Sequence, residues 1–253
     1  MKRHQRIRCA ICLGLVSLLL VVGCSGLKGG ATAQQAQTPQ TPDVPTIFSR
    51  LHWLGHSCFR LDGPLTIYFD PGVTLRDDAP KADIILISHS HGDHCFSASV
   101  KRIIKPDTII LSTSFVQQNA PEYGISIPTK VLRPGEELVI GTVQIEAVPA
   151  YNIGEDKPWH KKEYGHLGFI VTIQGERIYH AGDTDRIPEM AQIRCDVALL
   201  PIGGYYTMDM KEAAQAAADI KPKIVVPMHT RNEADYEQFR SICNCNVVIM
   251  KKE

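Results

Sequence analysis

Short apolar runs separated by turn residues dominate the chain from Ile47 onward. Runs rich in Val, Ile, Leu and aromatic side chains are typical of β-strands, and Gly, Pro and Asp between such runs mark turns. Clear turns fall at Gly55, at Asp62-Gly63-Pro64 and at Asp70-Pro71-Gly72. The predicted strands cover residues 48–53, 58–61, 65–69, 84–87, 109–111, 131–132, 137–140, 143–148, 168–173, 176–180, 197–200, 224–227 and 247–250.

Helical segments alternate with these strands. Ser97 is placed to cap a helix that Pro106 would stop, because proline lacks the backbone N–H that a helix interior needs. The runs 197–200 and 224–227 are continuously apolar, as expected for strands covered on both faces. This order favours a layered α/β fold with sheets inside and helices outside. The predicted helices cover residues 100–104, 208–218 and 233–241.

The N-terminus has the pattern of an export signal. A basic stretch from Lys2 to Arg8 precedes an apolar stretch from Ile11 to Val22, and Val21-Val22-Gly23-Cys24 follows the lipobox pattern. We therefore predict a signal peptide over residues 1–23, lipidation of Cys24 and a tether over 24–46, which is too poor in large apolar residues to form a core. The alternative is an uncleaved anchor, although the apolar stretch is short for a span. Either way the domain over 47–253 is expected outside the cytoplasm, and the lipobox pattern favours a membrane-anchored lipoprotein of the cell envelope.

Charge and cysteine content narrow the partners. Without the four basic residues of the leader, 23 of the 27 Lys and Arg remain against 27 Asp and Glu. No basic stripe supports a nucleic-acid partner, so we expect a small-molecule substrate, with oligomeric state open. Beyond Cys24 five cysteines remain, and the spacing of Cys243 and Cys245 is expected to be too tight for a relaxed mutual disulfide. Cys95 is expected to be a buried thiol rather than a metal ligand.

The segment His89-Ser90-His91-Gly92-Asp93-His94 is the strongest chemical signal. It reads H-x-H-x-D-H directly after a predicted strand. Neutral imidazoles and a carboxylate suit zinc, iron or manganese, and four such ligands in six residues require a loop that turns them inward. A polar turn without metal is the competing interpretation.

Other candidate ligands follow later strands, and together they resemble the metallo-β-lactamase superfamily over residues 47–250. More narrowly, three segments are similar to the branch of L-ascorbate-6-phosphate lactonase-like (UPF0173-like) proteins. The resemblance implies a four-layer αββα sandwich and a metal-dependent hydrolase. The segments are Tyr179-His180-Ala181-Gly182-Asp183-Thr184, Leu200-Pro201-Ile202-Gly203-Gly204 and Val226-Pro227-Met228-His229.

The resemblance implies a dinuclear site, with zinc the expected metal and manganese or iron as alternatives. His89 and His91 would bind the first ion, Asp93, His94 and His229 the second, and Asp183 both. The family's usual third histidine for the first ion is missing, because its Pro-Ala-His setting reads Pro149-Ala150-Tyr151-Asn152 here. His160 lies in a polar insertion that can fold back, so we favour it over His166, which directly precedes a strand. If neither reaches the first ion, that ion would be held weakly, with Tyr151 or Asn152 near it.

Two ions close together would lower the pKa of a bridging water and generate hydroxide near neutral pH, with Asp93 and Asp183 as the catalytic carboxylates that fix it. Asp70 is a candidate to orient a ligand imidazole, or else simply a turn residue. Further candidates to bind substrate are His56, His180 and Tyr205.

The leading functional hypothesis is a hydrolase of an ester-type bond, either a lactone or a phosphodiester. A di-iron oxidoreductase of the same fold is less favoured, because such relatives tend to carry Glu where His91 stands and use a flavin module. The non-enzymatic alternative is a metal-binding surface lipoprotein, which the missing third histidine would favour.

Overall fold

Two six-stranded sheets form the interior of the computed structural model, which describes residues 44–126, 128–154 and 156–253. The first sheet has the strand order β1-β2-β3-β4-β5-β6 and the second β12-β11-β10-β9-β8-β7. The strands are β1 (Leu51–Gly55), β2 (Cys58–Leu61), β3 (Ile67–Phe69), β4 (Ile84–Leu86), β5 (Ile109–Ser112), β6 (Thr129–Val131), β7 (Glu137–Ile140), β8 (Val143–Pro149), β9 (Leu167–Ile173), β10 (Glu176–His180), β11 (Val197–Pro201) and β12 (Ile224–Met228).

In the first sheet, both faces of the central strands are covered, and successive residues of a strand face opposite cores. Ile67 and Phe69 of β3 face the large core between the sheets, whereas Tyr68 faces a second core on the outer side. β4 repeats the pattern, with Leu86 inward and Ile85 outward. Strands β3 to β6 run parallel, so their carboxyl ends lie at one edge of the sheet.

The second sheet combines an antiparallel meander, β7 to β10, with parallel β10, β11 and β12. Every residue of β11 and β12 is buried, which confirms that these continuous apolar runs are covered on both faces.

Helices cover the outer faces and complete the predicted four-layer αββα sandwich. They are α1 (Ser97–Ile103), α2 (Ser114–Gln118), α3 (Met210–Ile220) and α4 (Ala234–Ile242). Asp209 caps α3 in a capping box with Glu212, whose backbone N–H donates to Asp209 Oδ1 at 2.8 Å. The prediction that Ser97 caps α1 is wrong, since Ser97 is the first helical residue and the cap position is Phe96.

Three further local predictions are wrong. Residues 48–50 belong to a 3₁₀ helix (Thr46–Arg50), which Glu176 holds by accepting hydrogen bonds from the N–H groups of Thr46 and Ile47. Segment 247–250 makes only an isolated bridge from Val247 to Val225. Cys243 and Cys245 do form a disulfide, because the chain bends where α4 ends and brings their Cα atoms to 5.3 Å.

The predicted signal peptide, Cys24 and nearly all of the predicted tether lie outside the described residues. Within the part of the chain that the structure describes, no helix has both the length and the apolar character needed to cross a bilayer.

Candidate metal centre

The H-x-H-x-D-H loop leaves the carboxyl end of β4 and turns back on itself before α1. The N–H groups of His94 and Cys95 both donate to the carbonyl of His91 at 2.9 Å, which closes the turn. The Asp70-Pro71-Gly72 turn packs against it so closely that a Cβ on Gly72 would lie 1.7 Å from the carbonyl oxygen of Asp93. Glycine is therefore required at position 72 to seat the loop.

A first cluster of ligand atoms combines His89, His91, His160 and Asp183. His89 Nε2 lies 3.1 Å and His160 Nε2 lies 3.3 Å from His91 Nδ1, and all four ligand atoms are within 4.8 Å of one another. Burial lowers the pKa values of His89 and His160, so both imidazoles are neutral and present a lone pair. This is a three-histidine, one-carboxylate donor set suited to a divalent ion.

A second cluster combines Asp93, His94 and His229, and it also includes His56. His229 Nε2 lies 3.9 Å from Asp93 Oδ2, while His56 Nε2 lies 3.2 Å from the same oxygen. The sequence placed His56 near substrate. The structure places its Nε2 among the candidate ligand atoms of the second cluster.

The Asp183 carboxylate lies between the two clusters. Its Oδ1 is 3.2 Å from His94 Nε2, and its Oδ2 is 3.1 Å from His229 Nε2 and 3.5 Å from His160 Nε2. Burial raises the pKa of Asp183, but the His94 and His229 imidazoles outweigh it and hold the pKa well below its usual value. The carboxylate is therefore ionised. One of its oxygens faces His94, and the other faces His160 and His229.

Buried polar atoms without hydrogen-bond partners show that this donor set fits metal ions. His94 Nε2, Asp183 Oδ1 and His229 Nε2 are all buried, and none makes a hydrogen bond of acceptable geometry. Leaving such atoms unpaired costs roughly 1–3 kcal/mol each, which coordination to a cation would offset. Imidazole and carboxylate donors at this spacing suit two divalent ions such as zinc, iron or manganese.

Asp70 orients the His94 imidazole. Its Oδ2 lies 2.7 Å from His94 Nδ1 and accepts from the Ser88 hydroxyl at 2.6 Å, while its Oδ1 accepts from the Ser88 N–H at 2.7 Å. Burial lowers the pKa of His94, but the Asp183 and Asp70 carboxylates outweigh it and raise the pKa well above its usual value. The negative charge of the Asp183 and Asp70 carboxylates therefore favours a positive charge beside them, which a bound cation would supply.

Ser88 orients the His89 imidazole, since its hydroxyl lies 2.9 Å from His89 Nδ1. Because the hydroxyl proton goes to Asp70, the Nδ1–H of His89 donates to Ser88 and leaves Nε2 for a metal. Sequence reasoning missed Ser88, and its place directly before the histidine motif was the available signal.

The insertion between β8 and β9 brings His160, and not His166, into the first cluster. His160 ends a 3₁₀ helix (Pro158–His160), and its Nδ1 lies 3.1 Å from the carbonyl of Tyr206 and 3.2 Å from Asn152 Oδ1. His166 instead stacks on His89 with ring centroids 4.9 Å apart, and burial together with His160 lowers its pKa to about 3.

Asn152, which stands near the family's usual histidine station, holds the replacement ligand. Its Oδ1 faces both the N–H and Nδ1 of His160, and its Nδ2 donates to Asp185 Oδ1 at 3.1 Å. Lys157 fixes that carboxylate with an ion pair of 2.8 Å. Asn152 is thus a positioning residue for His160.

The two remaining candidates to bind substrate, His180 and Tyr205, lie in different surroundings. His180 is fully buried in the core, where its ring stacks on Phe69 at 5.3 Å and its Nε2 lies 2.8 Å from the carbonyl of Ser57. The expectation that His180 binds substrate is wrong, because the last residue of β10 faces between the sheets. Tyr205 does line a depression of about 290 Å³ together with His56, Asp93 and His229.

Backbone strain concentrates at the site. Five non-glycine residues in the described part of the chain have positive φ, and three of them are His56 (51°), Asp70 (41°) and His229 (56°). Each follows a strand and contacts the ligand clusters. Such conformations cost on the order of 1–3 kcal/mol each. They persist where surrounding contacts hold the backbone in place, as at a functional site.

Comparisons with known proteins agree with this geometry. Residues 50–229 match the family model described as "Beta-lactamase superfamily domain". A UPF0173 metal-dependent hydrolase from Archaeoglobus fulgidus is 35% identical over 224 residues, which cover 80% of this chain and 96% of that protein. The crystal structure of a metal-dependent hydrolase from Parabacteroides distasonis superposes with a TM-score of 0.72 at 34% identity, covering 80% and 93% of the two chains. A diiron β-hydroxylase from Streptomyces venezuelae (14% identity, TM-score 0.64, covering 80% and 52%) shares the fold alone.

Proposed function

Because the chain belongs to the β-lactamase superfamily and to its UPF0173 metal-dependent hydrolases, we propose that it hydrolyses an ester-type bond, either a lactone or a phosphodiester, at the two ligand clusters around Asp183. The substrate is a small molecule outside the cytoplasm, and a lipid on Cys24 tethers the enzyme to a membrane.

Asp183 is the observation that carries the proposal. The residues of the two clusters would hold divalent ions, which when bound would supply Lewis acidity and lower the pKa of water towards 7. The buried Asp183 carboxylate faces His160 and His229 with one oxygen and His94 with the other, so it fixes the spacing of both ligand sets. This spacing suits hydrolysis in which water attacks and no protein nucleophile is needed.

Asp93 supports a reaction at the open side of the second cluster. Its side chain is 47% exposed, in contrast to the buried histidines beside it, and it lines the depression that contains His229. Burial raises the pKa of Asp93, but its contact with His56 and the charge on His94 outweigh this and lower the pKa. Asp93 therefore stays ionised, able to accept a hydrogen bond from water or substrate at the cleft.

The competing functions lose their main support. The surface-lipoprotein alternative relied on a missing third histidine, and His160 now lies 3.5 Å from Asp183 Oδ2. The oxidoreductase alternative expects Glu at position 91, where this chain has a histidine that contributes Nδ1 to the first cluster.

The test of the reaction is a substrate panel. Protein purified with added zinc or manganese is assayed against lactones, phosphodiesters, phosphonate esters and β-lactams, and its metal content is measured by elemental analysis. We expect about two divalent ions per chain and turnover of a lactone or a phosphodiester. Preference for β-lactams, or no bound metal after supplementation, would contradict the proposal.

The tether is tested separately in cells fed a clickable palmitate analogue. We expect label on the wild type and on Cys12→Ser, the matched control inside the leader, but none on Cys24→Ser. Equal labelling of Cys24→Ser, or an unprocessed mass for the wild type, would favour the uncleaved anchor.

A further inference from the structure

Three exposed aromatic side chains stand together beside the ligand clusters, and we call them the aromatic wall: Trp159, Tyr205 and Tyr206. Their exposed fractions are 39%, 65% and 41%. The Trp159 ring centroid lies 5.9 Å from that of Tyr205 and 5.4 Å from that of Tyr206, and the two tyrosines meet edge to face at 4.7 Å. Their remaining ring surface faces solvent, which is unfavourable for side chains of this size.

The wall is fixed relative to the metal ligands. Trp159 directly precedes His160 in the same 3₁₀ helix. The carbonyl of Tyr206 accepts from Asn152 Nδ2 at 3.0 Å and lies 3.1 Å from His160 Nδ1. Because the hydrogen bonds that hold the first cluster also hold the wall, the aromatic rings keep a set position beside the reacting centre.

Two depressions adjoin the wall, and each contains metal ligands. Tyr205 and Tyr206 line the one of about 290 Å³ that contains His229. Trp159 lines another of about 350 Å³ that contains His91. A substrate bond held at the clusters therefore lies within reach of the aromatic rings from either side.

Charge selects the kind of group that fits. Aromatic faces attract either other aromatic groups or cations. The carboxylates at the clusters are Asp93, Asp183 and the buried Asp70 beside His94, and two divalent ions would more than offset these three negative charges, so the loaded site disfavours a cationic substrate. A neutral aromatic group is the ligand that stacks on the wall without this repulsion.

We propose that the aromatic wall is the subsite for an aromatic group that the substrate carries next to its scissile ester-type bond. This inference rests on the proposed function and names the substrate class of that same site.

The kinetic test uses lactones that share one scissile bond: γ-butyrolactone and its γ-phenyl and γ-cyclohexyl derivatives. For metal-loaded wild type we expect kcat/KM for the phenyl lactone to exceed that for the parent by about tenfold or more, a typical effect of one stacked ring. Tyr205→Ala should reduce this ratio by about tenfold, mainly through KM. Val139→Ala removes an equally exposed apolar side chain from β7 and should leave the ratio unchanged. An equal gain for the cyclohexyl lactone would overturn the assignment to an aromatic group.

A binding measurement separates this inference from the proposed reaction. Calorimetric titration of the metal-loaded protein with phenylacetate and with acetate, which model ester hydrolysis products, should show phenylacetate binding about tenfold more tightly, and less so in Tyr205→Ala. If no lactone is hydrolysed but this ratio holds, lactone hydrolysis fails and the subsite stands. If the lactones are hydrolysed with equal kcat/KM and the two carboxylates bind equally, the subsite fails and the reaction stands.

Discussion

The two ligand clusters share Asp183 but are built differently. In the first, His89 and His160 are fully buried, and each has its second ring nitrogen held by a neighbour, Ser88 in one case and Asn152 or the Tyr206 carbonyl in the other. In the second, Asp93 is about half exposed and borders the depression that contains His229. Each cluster therefore has one exposed ligand, the imidazole of His91 in the first and the carboxylate of Asp93 in the second.

This difference indicates where substrate approaches, since an ionised carboxylate has two oxygens that accept hydrogen bonds. An exposed carboxylate at the cleft allows substrate and water to approach. We therefore expect substrate to enter over the second cluster, next to Tyr205.

The largest effect should follow from Asp183→Asn, which removes the charge that both clusters share while keeping the side-chain volume. Loss of a residue that only orients a ligand costs roughly 10–100-fold in metal affinity or activity, so loss of this direct ligand should lower hydrolysis by more than about 100-fold. Elemental analysis should show less of both ions, with an unchanged circular dichroism spectrum. Asp107→Asn, at an exposed carboxylate paired with Lys105, is the matched control. Normal activity at normal metal content would reject the shared ligand.

His160→Ala should separate the two clusters. The first cluster loses one of its three imidazoles, whereas the second keeps all of its ligands, so we expect loss of about one metal equivalent per chain. His166→Ala is the control, because His166 is an equally close histidine that lies outside both groups of ligand atoms. The expected measurement is two ions in His166→Ala and one in His160→Ala. The reverse pattern would transfer the ligand role to His166.

The pattern of short apolar runs predicted most strands, because each sheet buries both of its faces and such strands read as continuous apolar runs, as at 67–69 and 84–86. It failed at residues 48–50, where Glu176 on a distant strand stabilises a 3₁₀ helix that local pattern does not encode. It failed again at Cys243 and Cys245, where the bend after α4 decides their distance.

In the candidate site too, features set by local sequence could be predicted, whereas features set by long-range contacts could not. The motif His89 to His94 is local, so the sequence reveals it directly. His180 was misjudged because its position at the end of β10 is visible in the sequence, whereas the direction of its side chain, towards Phe69, depends on packing between the sheets. The orienting role of Asn152 depends on a loop that folds back by eight residues to His160, and no periodicity reports such a contact.

The smallest expected effect tests the orienting contacts of the first cluster. Asn152→Ala removes a hydrogen-bond acceptor for His160 Nδ1 but leaves the Tyr206 carbonyl, so the imidazole keeps one partner and the ion is weakened rather than lost. We expect a loss of about 10-fold in affinity for one ion, measured by competition with a fluorescent zinc chelator, while the second ion is unchanged. Asn119→Ala, an exposed asparagine at the end of α2, is the control for general destabilisation. Equal weakening of both ions in Asn152→Ala would mean that Asn152 supports the fold as a whole and has no particular role in orienting His160.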